Sequence, residues 1–142
     1  MGDKRGFTII ELLVVIIIIS ILAIIGGGAY LSGIEKAREG AAISSLRLLH
    51  VTLEMYAVDS KGRYPVATSL DDLYHSLEDH LPNKKMPDNP YNNQPYSDEN
   101  NDHYQITYTY DPLENVYTLT IWNRYNIKRL LLLSNKIVIK EE

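Results

Sequence analysis

Few residues of this 142-residue chain have types and spacing that could carry out chemistry. The chain contains no cysteine, which excludes a disulfide framework, a thiolate zinc site and a thiol nucleophile. No serine lies in the Gly-x-Ser-x-Gly turn of a hydrolase, and the histidines lack the spacing of a metal-binding pair (His50, His75, His80 and His103). The sequence therefore predicts a protein that is not an enzyme.

One segment has the spacing of a calcium ligand set. Asp98, Asn100 and Asp102 reproduce the Asp-x-Asn-x-Asp start of a calcium loop, where oxygen atoms at alternate positions converge on a hard cation. The rest of the pattern fails, because His103 occupies the position of the turn glycine and Thr109 that of the bidentate glutamate. This is not an EF-hand. The alternatives are a calcium site of another geometry and a solvated acidic turn.

The other candidate is a carboxylate inside a long apolar segment. Twelve of the fourteen residues from Leu12 to Ile25 are Leu, Ile or Val, and no charge occurs from Leu12 to Ile34. A helix over residues 7–29 is about 34 Å long, enough to cross a hydrocarbon layer about 30 Å thick. Glu11 lies near the start of this segment, where its insertion costs less than the roughly 2.5–3.5 kcal/mol of a central charge. The aliphatic residues outweigh that cost, so the segment is expected to insert.

Physical chemistry alone leaves two interpretations of Glu11. The carboxylate either marks the membrane edge and reaches the headgroups, or needs a cationic partner inside the apolar layer.

The orientation of the segment follows from its flanking charges. Lys4 and Arg5 precede the segment and place the N-terminus in the cytoplasm by the positive-inside rule. A secretory signal peptide cleaved before Tyr30 is another interpretation of the segment, although Glu11 is misplaced for such a signal.

The residues around Glu11 resemble a known processing signature. A short basic leader ends in Gly6, and Phe7 follows, with a carboxylate at the fifth position counted from Phe7 and then an unbroken aliphatic run. This arrangement resembles the cleavage and methylation motif of type IV pilins and type II secretion pseudopilins. The resemblance implies that prepilin peptidase cuts between Gly6 and Phe7 and N-methylates Phe7. It also implies that Glu11 pairs with the new amine of a neighbouring subunit during filament assembly.

The N-terminal half of the chain predicts one long helix. The apolar segment is followed by an amphipathic pattern, so a helix is expected from about residue 8 to residue 58. The weakest part of this helix is the triplet Gly26–Gly28, where the helix could bend, lose its helical structure locally or pack closely against another helix. We divide this part into a leader (1–6), a transmembrane or filament-core half (7–30) and an amphipathic half (31–58).

The remainder, residues 59–142, predicts a small globular head. Ser69 has the character of an N-cap before a short helix at about residues 70–81, and prolines make residues 82–102 a loop. Period-two alternation over residues 103–110 and 116–122 predicts a β-hairpin, to which 126–133 and 136–140 could add strands. The expected fold class is α+β and pilin-like: the long helix packs on a head with a short helix and an antiparallel β-meander of three to four strands.

Charge is uneven along the head. Residues 71–114 contain ten acids and two lysines, net −8, whereas residues 115–142 contain five bases and two acids, net +3. Such blocks could dock between identical subunits or form a mixed solvated surface. The formal net charge of −4 for the whole chain argues against nucleic acid as the main partner.

The head adds to the resemblance. The string Gly62-Arg63-Tyr64-Pro65, the short helix, the string from Asn89 to Tyr96 and a Tyr-rich hairpin look like the major, G-type pseudopilin of type II secretion. That family implies partners in a filament, namely copies of the chain and minor pseudopilins, with an assembly ATPase and inner-membrane platform proteins acting indirectly. It also implies a single-pass location in the bacterial inner membrane with the head outside, then a periplasmic or surface filament, and possible Ca²⁺ in the head.

Two alternatives to a secretion filament stay open at this point. One is a pilin of a surface pilus that serves adhesion, motility or DNA uptake. The other is a single-pass membrane-anchored ligand-binding domain, which would keep its leader.

Overall fold

Residues 6–136 are described by the structure, a computed structural model. The chain divides into two units, residues 1–36 and residues 37–142. Most of the leader and the possible strand beyond Lys136 lie outside the described residues.

Helix α1 (Ile9–Asp59) is 51 residues long and crosses the boundary between the units. Its first part contains an apolar window in which no residue is buried within the chain. By length and composition this helix can cross a membrane. The segment Gly26–Gly28 remains helical, and a Cβ at any of these glycines would contact nothing. The chain itself therefore does not require glycine at these positions.

Within the second unit, α1 contributes one wall of the hydrophobic core. The buried apolar side chains recur every three or four residues, which places them on one face of the helix. They are Ala42, Leu46, Leu49, Leu53 and Ala57. The opposite face carries exposed residues such as Val51 and Met55. Because the head has no disulfide, it depends on this wall for its stability.

Helix α2 (Leu70–Leu77) packs its buried leucines, Leu70, Leu73 and Leu77, into the same core. Its N-cap is Ser69, whose side chain accepts a hydrogen bond from Asp72 N at 3.1 Å. A single 3₁₀ turn, Glu78–His80, continues the helix, and Pro82 follows at the start of the next turn. The short helix expected in this part of the head is thus present.

The segment expected to be a loop contains a small unpredicted ladder. Strands β1 (Asp88–Asn89) and β2 (Gln94–Pro95) pair in antiparallel fashion. Two-residue strands cannot display a period-two pattern, which is why the sequence pattern missed them. Asn89 fixes the ladder, because its amide donates to His103 O at 2.8 Å and accepts from Tyr91 N at 3.0 Å.

The main sheet has three antiparallel strands in the order β3-β4-β5. Strand β3 (Ile106–Asp111) pairs with β4 (Val116–Trp122), and β4 pairs with β5 (Arg129–Ser134). The hairpin and the antiparallel meander are therefore confirmed. The first strand starts later than residue 103 because Tyr104 has a left-handed φ of 51°. Strand β5 starts later than residue 126 because Asn126, with a φ of 56°, lies in the turn before this strand.

A hydrogen-bonded cluster joins the sheet to α1. Tyr117 is fully buried, and its hydroxyl donates to Glu54 Oε1 at 2.7 Å and lies 2.5 Å from His50 Nδ1. Tyr64 donates to the same carboxylate at 3.1 Å. Burial, and then the hydrogen bond and charge of Glu54, raise the pKa of Tyr117 well above its usual value. These contacts fix β4 beside the C-terminal turns of the helix.

Substitution of Leu49 tests the role of α1 as a wall of the head. Leu49 is fully buried, so Leu49→Ala removes apolar contacts and leaves a cavity, at a cost of about 2–5 kcal/mol. Val51 is 55% exposed, and Val51→Ala should change the free energy of unfolding by no more than about 0.5 kcal/mol. The measurement is thermal unfolding of the full chain in detergent, followed by the fluorescence of its single tryptophan. Equal melting temperatures for the two variants would contradict this packing.

Candidate functional site

Helix α1 begins with reciprocal hydrogen bonds between Thr8 and Glu11. The backbone N–H of Thr8 donates to Glu11 Oε2 at 2.9 Å, and the Thr8 hydroxyl donates to the same oxygen at 2.8 Å. In return, the backbone N–H of Glu11 donates to Thr8 Oγ1 at 3.3 Å. This is a capping box, in which residues three apart satisfy each other's backbone donors at a helix N-terminus.

Thr8 was not predicted from the sequence as a member of this site. The pattern Thr-x-x-Glu directly before an apolar run is a known signal for a capping box, so the sequence did contain the information. Thr8 supplies hydrogen bonds but no positive charge. The Glu11 carboxylate therefore keeps its net negative charge and its preference for a cation in an apolar environment.

The surroundings of Glu11 form an open apolar groove. The groove has a volume of about 330 Å³, and its walls are Phe7, Ile10, Val14 and Val15. Phe7 is 79% exposed and Ile10 is 70% exposed. A carboxylate held by its own helix in an open apolar groove has the right chemistry to receive an amine from outside the chain.

The bond between Gly6 and Phe7 lies in a segment that a protease can reach. Residues 6–8 precede the helix, and all three are exposed. A Cβ at Gly6 would contact nothing within the chain, so the chain's own packing does not require glycine here. The absence of a side chain is instead useful to an enzyme that must approach the bond closely. The structure thus places Phe7 and Glu11 along the same groove, with Thr8 hydrogen-bonded to Glu11, and Gly6 directly precedes Phe7 in the chain.

The residues of the calcium prediction have separate hydrogen-bonding roles. Asp98 Oδ1 accepts from Leu70 N at 2.8 Å, at the start of α2. Asn100 Oδ1 accepts from Asn92 Nδ2 at 2.7 Å. Within residues 6–136, no three His, Asp or Glu side chains form a group that could hold a metal ion. Calcium binding by Asp98, Asn100 and Asp102 stays a prediction.

The N-terminal site and the apolar helix define a class of protein. Residues 1–27 match the family model of the prokaryotic N-terminal methylation motif. An N-terminal methylation motif on a helix that can cross a membrane, followed by an α+β head, defines a membrane-anchored prepilin-like protein.

The similar proteins identify the family within this class. The type II secretion system core protein G of Aeromonas hydrophila is 35% identical over 103 residues, which cover 66% of this chain and 71% of that protein. The proteins of the same name from Dickeya chrysanthemi and Escherichia coli K12 are each 39% identical over 62 residues. The chain belongs to the family of type II secretion system core protein G.

The matches differ in how much of each relative they cover. They span 40% of the Dickeya protein and 42% of the Escherichia protein, in each case with 44% of this chain. No solved structure matches the chain significantly. The resemblance to G-type pseudopilins drawn from the sequence is confirmed.

Removal of the Thr8 hydroxyl tests the capping box. Thr8→Val should cost about 1 kcal/mol at the helix start, which corresponds to about fivefold faster amide hydrogen exchange at Glu11 and Leu12, whose N–H groups donate to Thr8. Thr8→Ser keeps the hydroxyl and should exchange like the unaltered chain. The measurement is hydrogen exchange of the full chain in detergent micelles. Equal protection in Thr8→Val and Thr8→Ser would show that the hydroxyl does not cap the helix.

Chelation tests the calcium prediction. If Asp98, Asn100 and Asp102 bind Ca²⁺, a calcium chelator should lower the melting temperature of the full chain, and added Ca²⁺ should restore it. Asp102→Asn is the informative variant, because Asp98 also has a role at the start of α2. It should abolish the calcium effect on the melting temperature. A melting temperature that does not change with chelator leaves these acids as a solvated turn.

Proposed function

We propose that this chain is the precursor of a filament subunit that serves type II protein secretion. The observation that carries the proposal is the position of Glu11, which is held by Thr8 at the first turn of a membrane-length apolar helix and is the fifth residue counted from Phe7, within the matched N-terminal methylation motif. Membership in the family of core protein G supports secretion rather than a surface pilus.

Maturation changes the charge at this end of the chain. Prepilin peptidase cuts between Gly6 and Phe7 and N-methylates Phe7, which removes Lys4 and Arg5 with the leader. The new amine is positive and lies at the edge of the apolar segment. Before assembly the subunit is a single-pass protein of the bacterial inner membrane, with its N-terminus in the cytoplasm and its head outside.

The pairing of charges between chains then determines how neighbouring subunits align. The Glu11 carboxylate of one subunit and the Phe7 amine of a neighbour neutralise each other inside a bundle of apolar helices, where either charge alone is costly. The capping box holds the carboxylate at a fixed place in the first turn, so this pair sets the register of neighbouring helices. The result is a filament of copies of this chain with minor pseudopilins.

Other proteins supply the energy for assembly. The sequence contains no Gly-rich nucleotide-binding loop of the Gly-x-x-x-x-Gly-Lys type. An assembly ATPase and inner-membrane platform proteins therefore extract subunits from the membrane. The subunit itself contributes the binding energy of its helix and head.

Replacement of Glu11 tests this function. Glu11→Ala should still insert and be cleaved, because the aliphatic segment and the Gly6–Phe7 bond are unchanged. It leaves an unpaired amine in the bundle, which costs about 3 kcal/mol or more and lowers filament yield about a hundredfold. Glu39→Ala, farther along the same helix, is the matched control and should assemble normally. The measurement is the ratio of sheared filaments to membrane-bound subunit by immunoblot, and a normal ratio for Glu11→Ala would refute the pairing.

A further inference from the structure

A small apolar cavity opens beside helix α2 in the head. Its volume is about 290 Å³, and its walls include Tyr74, Met86, Pro95 and Tyr96. Met86 and Tyr96 belong to the buried core, with 3% and 2% of their surface exposed. The Tyr74 hydroxyl is held by Lys84 O at 3.0 Å. Because its walls are fixed by these contacts, the cavity is formed before any ligand enters.

The edge of this cavity is acidic. Asp71 lines it, and the Asp71 carboxylate accepts a hydrogen bond from Asp98 N at 3.4 Å, which brings the segment of Asp98 and Glu99 alongside. Lys85 also lines the cavity, but its amine pairs with Asp88 at 2.9 Å. The acids near the edge are therefore not neutralised by that lysine. A suitable occupant has an apolar group flanked by positive charge.

The turn between β4 and β5 has these properties. We call residues 124–129 the basic tip. Tyr125 is 67% exposed and Ile127 is 81% exposed, next to the exposed Lys128 and Arg129. No acidic residue occurs between Asn115 and Lys136. Exposed apolar side chains among bases are unfavourable in water and suit an apolar cavity with an acidic edge.

The basic tip is also held in one conformation. Asn123 Oδ1 accepts from Ile127 N at 3.0 Å and from Lys128 N at 3.3 Å. The Asn126 amide donates to Asp102 O at 2.6 Å, which ties the turn to the neighbouring segment. A turn fixed in this way loses little conformational entropy when it docks.

We propose that the basic tip of one copy of this chain docks into the cavity beside α2 of a second copy. Ile127 enters the cavity, and Lys128 and Arg129 lie against the acidic edge at Asp71. The opposite charges of the two halves of the head thereby become a specific contact. This inference rests on the proposed function, since it assigns a head-to-head contact within the filament.

The contact joins different surfaces of the two copies. Each copy carries one basic tip and one cavity, so a copy that offers its tip still has its cavity available. A heterologous contact of this kind propagates from copy to copy and builds an open assembly, unlike a twofold contact, which closes as a dimer.

Cysteine pairs test the contact, because the chain has no cysteine of its own. Ser97 lines the cavity, and Ile127→Cys with Ser97→Cys places one thiol on each surface. Mild oxidation of assembled filaments should give a ladder of dimers and higher multimers, at least about tenfold above the matched control. The control is Leu113→Cys with Ser97→Cys, since Leu113 is 95% exposed on a different turn.

Two results would overturn the contact. One is filaments of the Ile127→Cys, Ser97→Cys chain that form normally but give no more multimers than the control. The other is dimers from Ile127→Cys alone, which would indicate a twofold contact. If the unaltered chain forms no filaments, the proposed function fails and this contact fails with it. If filaments form without the cross-link, only this inference fails.

Charge reversal provides a second, independent measurement. Lys128→Glu with Arg129→Glu should lower cross-linking about fivefold at low salt, because the attraction of both bases to the acidic edge at Asp71 becomes a repulsion. Adding Asp71→Lys should restore part of the yield. Lys61→Glu with Arg63→Glu reverses two exposed positive charges elsewhere on the head and should have no effect. Equal cross-linking in the Lys128→Glu, Arg129→Glu chain and in the Lys61→Glu, Arg63→Glu chain would contradict the assigned pairing.

Discussion

A negative charge inside an apolar helix is the constraint on which the rest of this protein depends. The capping box with Thr8 supplies hydrogen bonds to the Glu11 carboxylate and starts the helix, but it cannot neutralise the charge. In the function that we propose, cleavage between Gly6 and Phe7 creates a positive amine at the same end of the helix. The carboxylate is therefore tolerable in a single subunit and fully compensated only beside another one.

One helix connects this constraint to the head. The first part of α1 is apolar all round, and its apolar window has no residue buried within the chain. Residues 42–57, in contrast, bury one stripe of side chains in the core of the head. Tyr117, Glu54 and His50 fix the sheet against this stripe.

Sequence patterns predicted the long helix, the short helix and the β-hairpin, because each has a clear period or cap. They did not predict the β1–β2 ladder, since two-residue strands have no period, or the start of β5, which depends on the left-handed Asn126. The role of Asp98 at the start of α2 also could not be read from the sequence, because its partner Leu70 is 28 residues away. Gly6, Phe7 and Glu11 could be proposed as a site because they are neighbours in the sequence, but the hydrogen bonds of Thr8 were missed.

The intact mass of the protein tests the central claim most directly. We expect the chain purified from a host with a working prepilin peptidase to lack residues 1–6 and to carry one additional methyl group on Phe7. That result would show that maturation leaves a methylated amine at the new N-terminus, four residues before Glu11 in the chain. A mature protein that retains its initial methionine and its full leader would contradict the account.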